Sequence, residues 1–316
     1  MRRYFGYAVR RIRLRTLSPA GLIAAVNDRT GASLRLAGLA DRGEVGAAYV
    51  QWPDGRTGVL TRSAAPVDVI QRTGRLLAGA AAAGLPVPAY QKIVDLGTQR
   101  VIIQERLPGS PPDNVDNRLV GDLLDLVDRF TGLGDGGVDL ELYLTSSGPG
   151  FCLHETLAGH NDRSRRLLAR IRAIAAEQPD DRPESGNDLV HLDFHPANVL
   201  VDRGRISGLV DWDGVARADR RFALVTLSFD LSIRLRTGTE CRGLDGSGVE
   251  RVVEQLACAA VEDVRRWWAH MSLRQVEWTI RHGYDRAVVD WYETIAERGL
   301  DRLDSGRPIS ARELLD

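Results

Sequence analysis

The chain contains few cysteines and no long apolar run. Its three cysteines, Cys152, Cys241 and Cys258, are odd in number, widely spaced and without a Cys-x-x-Cys pair. This pattern argues against a disulfide framework and against a zinc site, and it favours a reduced, cytoplasmic protein. The longest apolar stretches are much shorter than the roughly 20 residues that a membrane-spanning helix needs, so no membrane partner is expected.

Lysine is nearly missing as well, since the 42 basic residues comprise Lys92 and otherwise only arginine. With a net charge of −1, the whole chain has no strong attraction to nucleic acid or membranes. Residues 1–42 carry nine arginines against Asp28 and Asp41. Such a segment can be a basic arm that binds nucleic acid, but a solvated extension is the commoner explanation, and no nucleic-acid partner is expected.

Residues 111–145 have the opposite bias, because eight acidic residues face only Arg118 and Arg129. Many of them would form the polar side of a helix predicted over about 116–131. A negative surface beside a binding cleft would nevertheless attract a cationic substrate. The eight residues are Asp113, Asp116, Asp122, Asp125, Asp128, Asp135, Asp139 and Glu141.

The most informative segment runs from His191 to Asp213. Two short apolar runs, 199–201 and 206–210, flank a turn that contains Gly204, which predicts a β-hairpin. Antiparallel pairing brings the start of the first strand beside the end of the second, so Asn198 and Asp211 should lie at the same end. An amide oxygen and a carboxylate in that arrangement suit Mg²⁺.

Asp193 lies just upstream of Asn198, in a loop that contains Pro196. A carboxylate at this place can accept a hydroxyl proton while magnesium holds the phosphates of a nucleotide. A lone His-x-Asp is usually a surface loop, and a lone hairpin that ends in Asp is usually only a hairpin. The joint pattern of His191, Asp193, His195-Pro196, Asn198 and Asp211 is far more specific, and it favours phosphoryl transfer.

This segment resembles the catalytic core of the aminoglycoside phosphotransferase and choline kinase superfamily, which is related to protein kinases. The resemblance implies that Asp193 is the catalytic base, that His191 supports its loop, and that Asn198 and Asp211 bind magnesium. Asp211 would take the place of the metal-binding Asp of the protein-kinase Asp-Phe-Gly motif. Weaker matches extend over roughly residues 34–230, including the segments 82–88, 104–109 and 214–227.

The element pattern agrees with this family. Strand, strand, strand, helix, strand, strand is the order of the small lobe of a kinase-like fold. The predicted class is α+β and bilobal, with a small antiparallel sheet and one helix in the N-lobe and a larger, mainly helical C-lobe. The predicted domains are a basic extension with a short helix (1–32), a nucleotide-binding N-lobe (33–106) and a catalytic, substrate-binding C-lobe (107–316). The N-lobe elements are expected at 34–36, 47–52, 58–62, 66–83, 90–95 and 100–104.

Two further segments have a place in a kinase-like fold. Residues 104–109 would be the hinge, where the carbonyl of Glu105 and the amide of Leu107 would bind the base of ATP or GTP. An ordinary exit from a strand into a Pro-Gly loop explains this segment equally well. Residues 40–47 would cover the phosphates, although a simple hairpin loop accounts for their two glycines.

The sequence departs from the family at the third strand. Relatives carry a phosphate-binding lysine there and a glutamate partner on the next helix, whereas this chain has Thr61 and no glutamate between Thr61 and Gln104. Either Arg62 or another arginine reaches the phosphates, although Thr61 and Arg62 point to opposite faces of one strand, or the nucleotide site has changed. Ala223 also stands where relatives carry an Asp that supports the catalytic loop, and Asp219 is a candidate to compensate.

The sequence therefore predicts a magnesium-dependent small-molecule kinase that transfers the terminal phosphate of ATP or GTP to a substrate hydroxyl. The acidic segment suggests an aminoglycoside or another amine-bearing antibiotic or metabolite, with antibiotic resistance as one natural role. Retention of Asp193, Asn198 and Asp211 together favours an active enzyme. The alternative is a catalytically inactive, kinase-like nucleotide-binding protein.

Overall fold

The computed structural model describes residues 17–40, 47–97, 99–140, 153–177, 186–212 and 215–315. Two compact units divide the chain, the first from 1–110 and 199–214 and the second from 111–198 and 215–316. The predicted boundary between a nucleotide-binding N-lobe that ends at residue 106 and a catalytic C-lobe that begins at residue 107 stays a prediction. Among the helices of the described ranges, none is both long and apolar enough to cross a membrane.

The first unit is built on a five-stranded antiparallel sheet in the order β1-β2-β3-β5-β4. The predicted succession of three strands, a helix and two strands is found, with boundaries within one residue of those expected except at the end of β1. A short helix, α1, precedes them, as expected for the end of the extension. The elements are α1 (Pro19–Thr30), β1 (Arg35–Leu39), β2 (Ala48–Gln51), β3 (Thr57–Ser63), α2 (Val67–Ala82), β4 (Tyr90–Asp95) and β5 (Arg100–Glu105).

Strand alternation divides the sheet into two faces. One face, here called the α1 face, buries Leu60, Val101 and Ile103 against apolar residues of α1 such as Leu22 and Val26. The other, here called the α2 face, buries Ile102 against Ile70 of α2. Because successive side chains of a strand point to opposite sides, the position of every β3 residue follows from Leu60.

The predicted hairpin is present in the first unit as β7 (Val199–Asp202) and β8 (Arg205–Leu209), with Val199 opposite Leu209. Arg203 and Gly204 both have positive φ, 48° and 75°, as a two-residue turn with the twist of the strands requires. Two backbone hydrogen bonds fasten the hairpin to earlier residues, from Val201 to the Ser110 carbonyl (2.8 Å) and from Leu209 to the Pro86 carbonyl (2.7 Å).

The second unit is mainly helical and also contains a two-stranded antiparallel sheet of β6 with β9. Polar side chains cap the start of some of its helices: Asp116 accepts from Leu119 N at 2.8 Å, and Asn161 accepts from Ser164 N at 2.8 Å. Its elements are α3 (Asn117–Asp128), α4 (Leu153–His160), α5 (Asp162–Ala176), β6 (Asp188–His191), β9 (Val215–Ala218), α6 (Phe222–Thr237), α7 (Gly246–Leu256), α8 (Val261–Arg281), α9 (Arg286–Asp304) and α10 (Ala311–Leu315).

Candidate active site

The loop after β6 brings His191, Asp193 and Asn198 together. His191 ends the strand and is buried, and its Nδ1 accepts a hydrogen bond from the Asp193 backbone amide at 3.1 Å. A 3₁₀ turn over Pro196–Asn198 closes the loop. The ring of His191 thus holds the backbone at Asp193, and the predicted catalytic role of the loop stays a prediction.

Asn198 is buried and is oriented by Asp193. Its Nδ2 donates to the Asp193 carbonyl at 2.9 Å and lies 3.4 Å from the Asp193 carboxylate oxygen Oδ2. Because both acceptors belong to Asp193, the amide nitrogen faces Asp193 and Oδ1 points away from it. Within the described ranges no donor bonds to that Oδ1, so the amide oxygen is available as a metal ligand.

The Asp193 carboxylate is surrounded by basic groups of the second unit. Its Oδ2 lies 3.4 Å from His195 Nε2, and Arg274 of α8 is near enough to attract it. Desolvation acts to raise the pKa of Asp193, but the hydrogen bond and charge of His195, with the charge of Arg274, hold that pKa below its ordinary value. The side chain still exposes 54% of its surface, so water also favours the carboxylate. Asp193 is therefore ionised at neutral pH.

Asp211 follows β8 in the first unit and is exposed. Its φ of 65° lies in the left-handed region, which is uncommon for a residue other than glycine. The neighbouring Trp212 is buried, and its indole Nε1 donates to the Leu209 carbonyl at 2.7 Å. The Tyr90 hydroxyl contacts the Trp212 carbonyl at 3.5 Å. These contacts anchor the segment and hold Asp211 in its strained conformation.

The donor types of Asn198 and Asp211 fit Mg²⁺. An amide oxygen and a carboxylate are hard oxygen ligands, and Mg²⁺ is usually held by one or two carboxylates together with phosphate oxygens and water. Across the ranges given above, no group of three or more His, Cys, Asp or Glu side chains could hold a metal ion by itself. Such a group would be needed for a structural zinc site but is not required for a nucleotide-bound magnesium ion.

The two predicted hinge residues follow one another closely at the end of β5. Glu105 ends the strand; its amide donates to the Ala89 carbonyl at 2.8 Å, and its carboxylate accepts from the Ala89 amide at 3.3 Å. The amide of Leu107 donates to no residue that the structure describes. A free donor directly after the sheet is compatible with base binding, and that role stays a prediction.

Arg62 and Thr61 point to opposite faces of β3. Leu60 lies on the α1 face, so Arg62 also lies on that face, and its guanidinium donates to the Leu17 carbonyl just before α1 at 2.7 Å. Thr61 lies on the α2 face, opposite Ile102. The contact with Leu17 gives Arg62 a structural role, and its predicted role in phosphate binding stays untested.

Asp219 does not compensate for Ala223. Both Asp219 carboxylate oxygens bind Arg221, with Oδ1 2.8 Å from its Nε, and Asp219 bonds to no described residue of the loop at 191–198. Another acid, Asp188, organises this region. It accepts from the Gly132 amide at 2.8 Å and from the Arg220 amide at 3.1 Å.

Sequence reasoning missed Arg274 and Asp188. Arg274 lies 81 positions after Asp193 along the chain, so no local motif could connect the two. Asp188 precedes the catalytic segment, but its partners come from residues 132 and 220. A signal was present for His195, which belongs to the His195-Pro196 pair of the segment.

Comparison with known proteins agrees with this arrangement. A model of the phosphotransferase enzyme family matches residues 47–239, more than half of the chain. No curated protein sequence shows a significant match. This chain resembles solved structures with which it shares 16–19% sequence identity. They confirm the predicted α+β, protein-kinase-like fold class.

These structures include aminoglycoside phosphotransferases. A thermostable mutant of APH(4)-Ia, in ternary complex with ADP and hygromycin B, is 16% identical with a TM-score of 0.58, over 92% of this chain and 97% of that one. An aminoglycoside-3′-phosphotransferase of type VIII is 19% identical with a TM-score of 0.55, over 80% and 97%. An enzyme from Streptomyces rimosus is 16% identical with a TM-score of 0.52, over 82% and 98%.

Proposed function

Because this chain belongs to the phosphotransferase enzyme family, we propose that it is a magnesium-dependent kinase that phosphorylates a hydroxyl group of a small molecule. The observation that carries this proposal is the Asp193 carboxylate. It is exposed, ionised and held by basic neighbours, and its Oδ1 accepts no hydrogen bond from the described residues. An oxygen in that state can bind a substrate hydroxyl.

Each residue of the proposed site would have its own role. Asp193 would orient the acceptor hydroxyl and take its proton as the new O–P bond forms and the bond to the departing nucleoside diphosphate breaks. His191 would keep Asp193 in place through its backbone amide. Asn198 and Asp211 would hold Mg²⁺, which when bound neutralises charge on the nucleotide phosphates. The Glu105 carbonyl and the Leu107 amide would bind the base.

ATP or GTP is the proposed phosphate donor. The solved structure of APH(4)-Ia with ADP, and another with AMP-PNP, support a nucleotide donor for a chain of this family and fold. The contacts proposed for the base are backbone groups of the hinge. Side-chain identity at the hinge therefore does not favour one of the two nucleotides.

The proposed acceptor is a small molecule with a free hydroxyl, and amine-bearing compounds such as aminoglycosides are the first class to test. Hygromycin B is bound in the structure of APH(4)-Ia, which supports testing this class of compounds first. The acidic segment at 111–145 supports a cationic acceptor less than its charge suggested. Several of its carboxylates already form contacts within the protein. Asp116 caps α3, Asp128 pairs with Arg220 at 2.8 Å and Asp139 with Arg217 at 3.5 Å.

Thermal unfolding with magnesium–ATP and magnesium–GTP tests the nucleotide site. A ligand that binds only the folded state raises the melting temperature, and we expect a magnesium-dependent rise that Asp211→Ala abolishes. Asp202→Ala removes a carboxylate from the hairpin turn of the same unit and should leave the rise intact. No rise with either nucleotide at millimolar concentration in the wild type would contradict the proposal.

A non-catalytic nucleotide-binding protein is the second candidate, since Thr61 replaces the expected lysine and its glutamate partner is missing. An acceptor panel that includes amino sugars, neutral sugars and nucleosides distinguishes the two. Nucleotide binding without phosphorylation of any member would favour the non-catalytic protein. Phosphorylation that is lost in Asp193→Asn would favour the kinase.

A further inference from the structure

The α2 face of the first unit carries the residues expected around a nucleotide. Tyr49 of β2 pairs with Val59, and Val59 pairs with Gln104, so all three lie on the face that also bears Thr61. Tyr90 packs on this face, and its hydroxyl contacts the Trp212 carbonyl at 3.5 Å. The segment that contains Asp211 therefore approaches the sheet from the α2 face.

Two basic residues of the sheet lie on the opposite face. Arg62 is bonded to the Leu17 carbonyl. Lys92 pairs with Ile103, which is buried on the α1 face, and its ammonium lies 6.0 Å from the ring centre of Trp52. Because both side chains lie on the α1 face, neither of them supplies positive charge to the α2 face, which carries Thr61.

Arg106 does lie against the α2 face. It directly follows β5, and its guanidinium stacks over the Tyr49 ring at 4.0 Å. Such a cation–π contact does not neutralise the charge. Arg106 forms no ion pair with any residue that the structure describes, so its hydrogen-bond donors are available to a phosphate, which arginine binds through parallel N–H bonds.

We propose that Arg106 binds the phosphates of the nucleotide and supplies the positive charge that Thr61 does not. The inference rests on the proposed function, because it assumes a nucleotide on the α2 face. Thr61 lies two residues beyond Val59, the partner of Tyr49, which is about 7 Å along the strand. A change of rotamer moves the long Arg106 side chain from the Tyr49 ring toward that position.

Arg72 of α2 is the competing source of charge. It is half-buried on the helix that covers the α2 face, and it also forms no ion pair with a described residue. No described contact directs it to the sheet, whereas Arg106 has a defined contact there. The experiment therefore includes both arginines.

Calorimetric titration of the full chain with adenosine, ADP and ATP in magnesium tests the proposal, with the guanosine series measured in parallel. Arg106→Gln should weaken ATP and ADP binding about 10- to 100-fold, the usual effect of losing a charge-assisted hydrogen bond. Adenosine binding should stay within about twofold, because no phosphate is present. Arg106→Lys should restore part of the loss. Arg203→Gln, which removes an exposed charge from the hairpin turn, is the matched control.

Three results would overturn the proposal. An equal loss for adenosine and ATP would mean that Arg106 acts on the base. An unchanged affinity in Arg106→Gln, with a phosphate-dependent loss in Arg72→Gln or Arg62→Gln, would assign the charge to one of those residues. A wild-type chain that binds no nucleotide at all would overturn the proposed function together with this inference, whereas nucleotide binding that ignores Arg106 would leave the proposed function standing.

Discussion

Two basic side chains from different parts of the second unit act on the single carboxylate of Asp193. His195 belongs to the loop itself, and Arg274 comes from α8. Their combined field favours the ionised acid, so Asp193 is a weak base before substrate binds. Its contribution to catalysis would then depend on its position relative to the acceptor hydroxyl more than on its basicity.

Replacement of this carboxylate tests its role directly. Asp193→Asn keeps the size of the side chain and its place beside His195, but it cannot accept the hydroxyl proton. We expect kcat to fall by about 10²- to 10⁴-fold, the usual contribution of a general base. The KM for nucleotide and the melting temperature should change little. Steady-state kinetics with Asp202→Asn as the matched control would check this, and an unchanged kcat would remove Asp193 from the mechanism.

Arg62 gives a second residue-scale prediction. Its hydrogen bond to Leu17 joins β3 to the start of α1, so Arg62→Ala should lower the free energy of unfolding by about 1 kcal/mol. The nucleotide KM should stay the same, because the side chain lies on the α1 face. Urea unfolding and initial-rate kinetics measure the two quantities. A raised KM with unchanged stability would instead support the role in phosphate binding that the sequence suggested.

At the scale of elements, the β7–β8 hairpin packs closely against the segment that follows β5. Gly109 has a φ of 94°, and a Cβ at this residue would lie 2.6 Å from the Val201 carbonyl oxygen and 2.7 Å from Ser207 Oγ. Ser207 Oγ also donates to the Pro108 carbonyl at 2.7 Å. Glycine is required here both for its backbone conformation and for the close approach of the hairpin.

Gly109→Ala should therefore be more destabilising than an ordinary glycine substitution. Strain at positive φ and the clash with a backbone oxygen together should cost about 2 kcal/mol or more. Gly55→Ala is the matched control, since Gly55 has a φ of 87° in the same unit but no atom within 4 Å of the added Cβ. Urea midpoints compare the two variants. Equal losses would show that the close approach contributes nothing.

For the whole molecule, ion pairs and hydrogen bonds at Asp304 and Glu313 predict a dependence of stability on pH. Burial acts to raise the pKa of Asp304, but Arg265 and Arg170 bind this carboxylate and hold its pKa below the ordinary value. Burial likewise acts to raise the pKa of Glu313. Hydrogen bonds from Ser310 and the charge of Arg302 nevertheless lower this pKa below its ordinary value. In both cases the folded state favours the ionised acid.

A carboxylate with a lowered folded-state pKa stabilises the protein above its unfolded-state pKa, which is about 4. That contribution is lost as the pH falls through the folded-state value, because the unfolded chain then binds more protons. The free energy of unfolding should therefore be nearly constant from about pH 7 to pH 5 and should decrease below about pH 4. Asp304→Asn should lower stability at neutral pH and flatten the decline in acid. Urea titrations across this range measure both effects, and an identical decline in the variant would contradict the assignment.

The sequence predicted most of the small sheet, because turn residues and apolar alternation mark β2 to β5 within a residue or two. It predicted β1 less well, since Leu36 and Leu39 are exposed and a bulge lies between Leu36 and Gly38, which hides the alternation. The contacts among His191, Asp193 and Asn198 could be expected because these residues lie within one segment. Arg274, Asp188 and the contact of Arg106 with Tyr49 were not, because each depends on residues that meet only in the folded chain.

The discontinuity of the first unit has a consequence for how the protein is made. Residues 17–110 supply its sheet, while the hairpin that contacts Ser110 and Pro86 is encoded more than 85 residues later. During synthesis the sheet leaves the ribosome without this hairpin, and the unit can be completed only after residue 212 has emerged. Such late pairing of distant segments slows folding and lengthens the time for which the nascent chain exposes apolar surface.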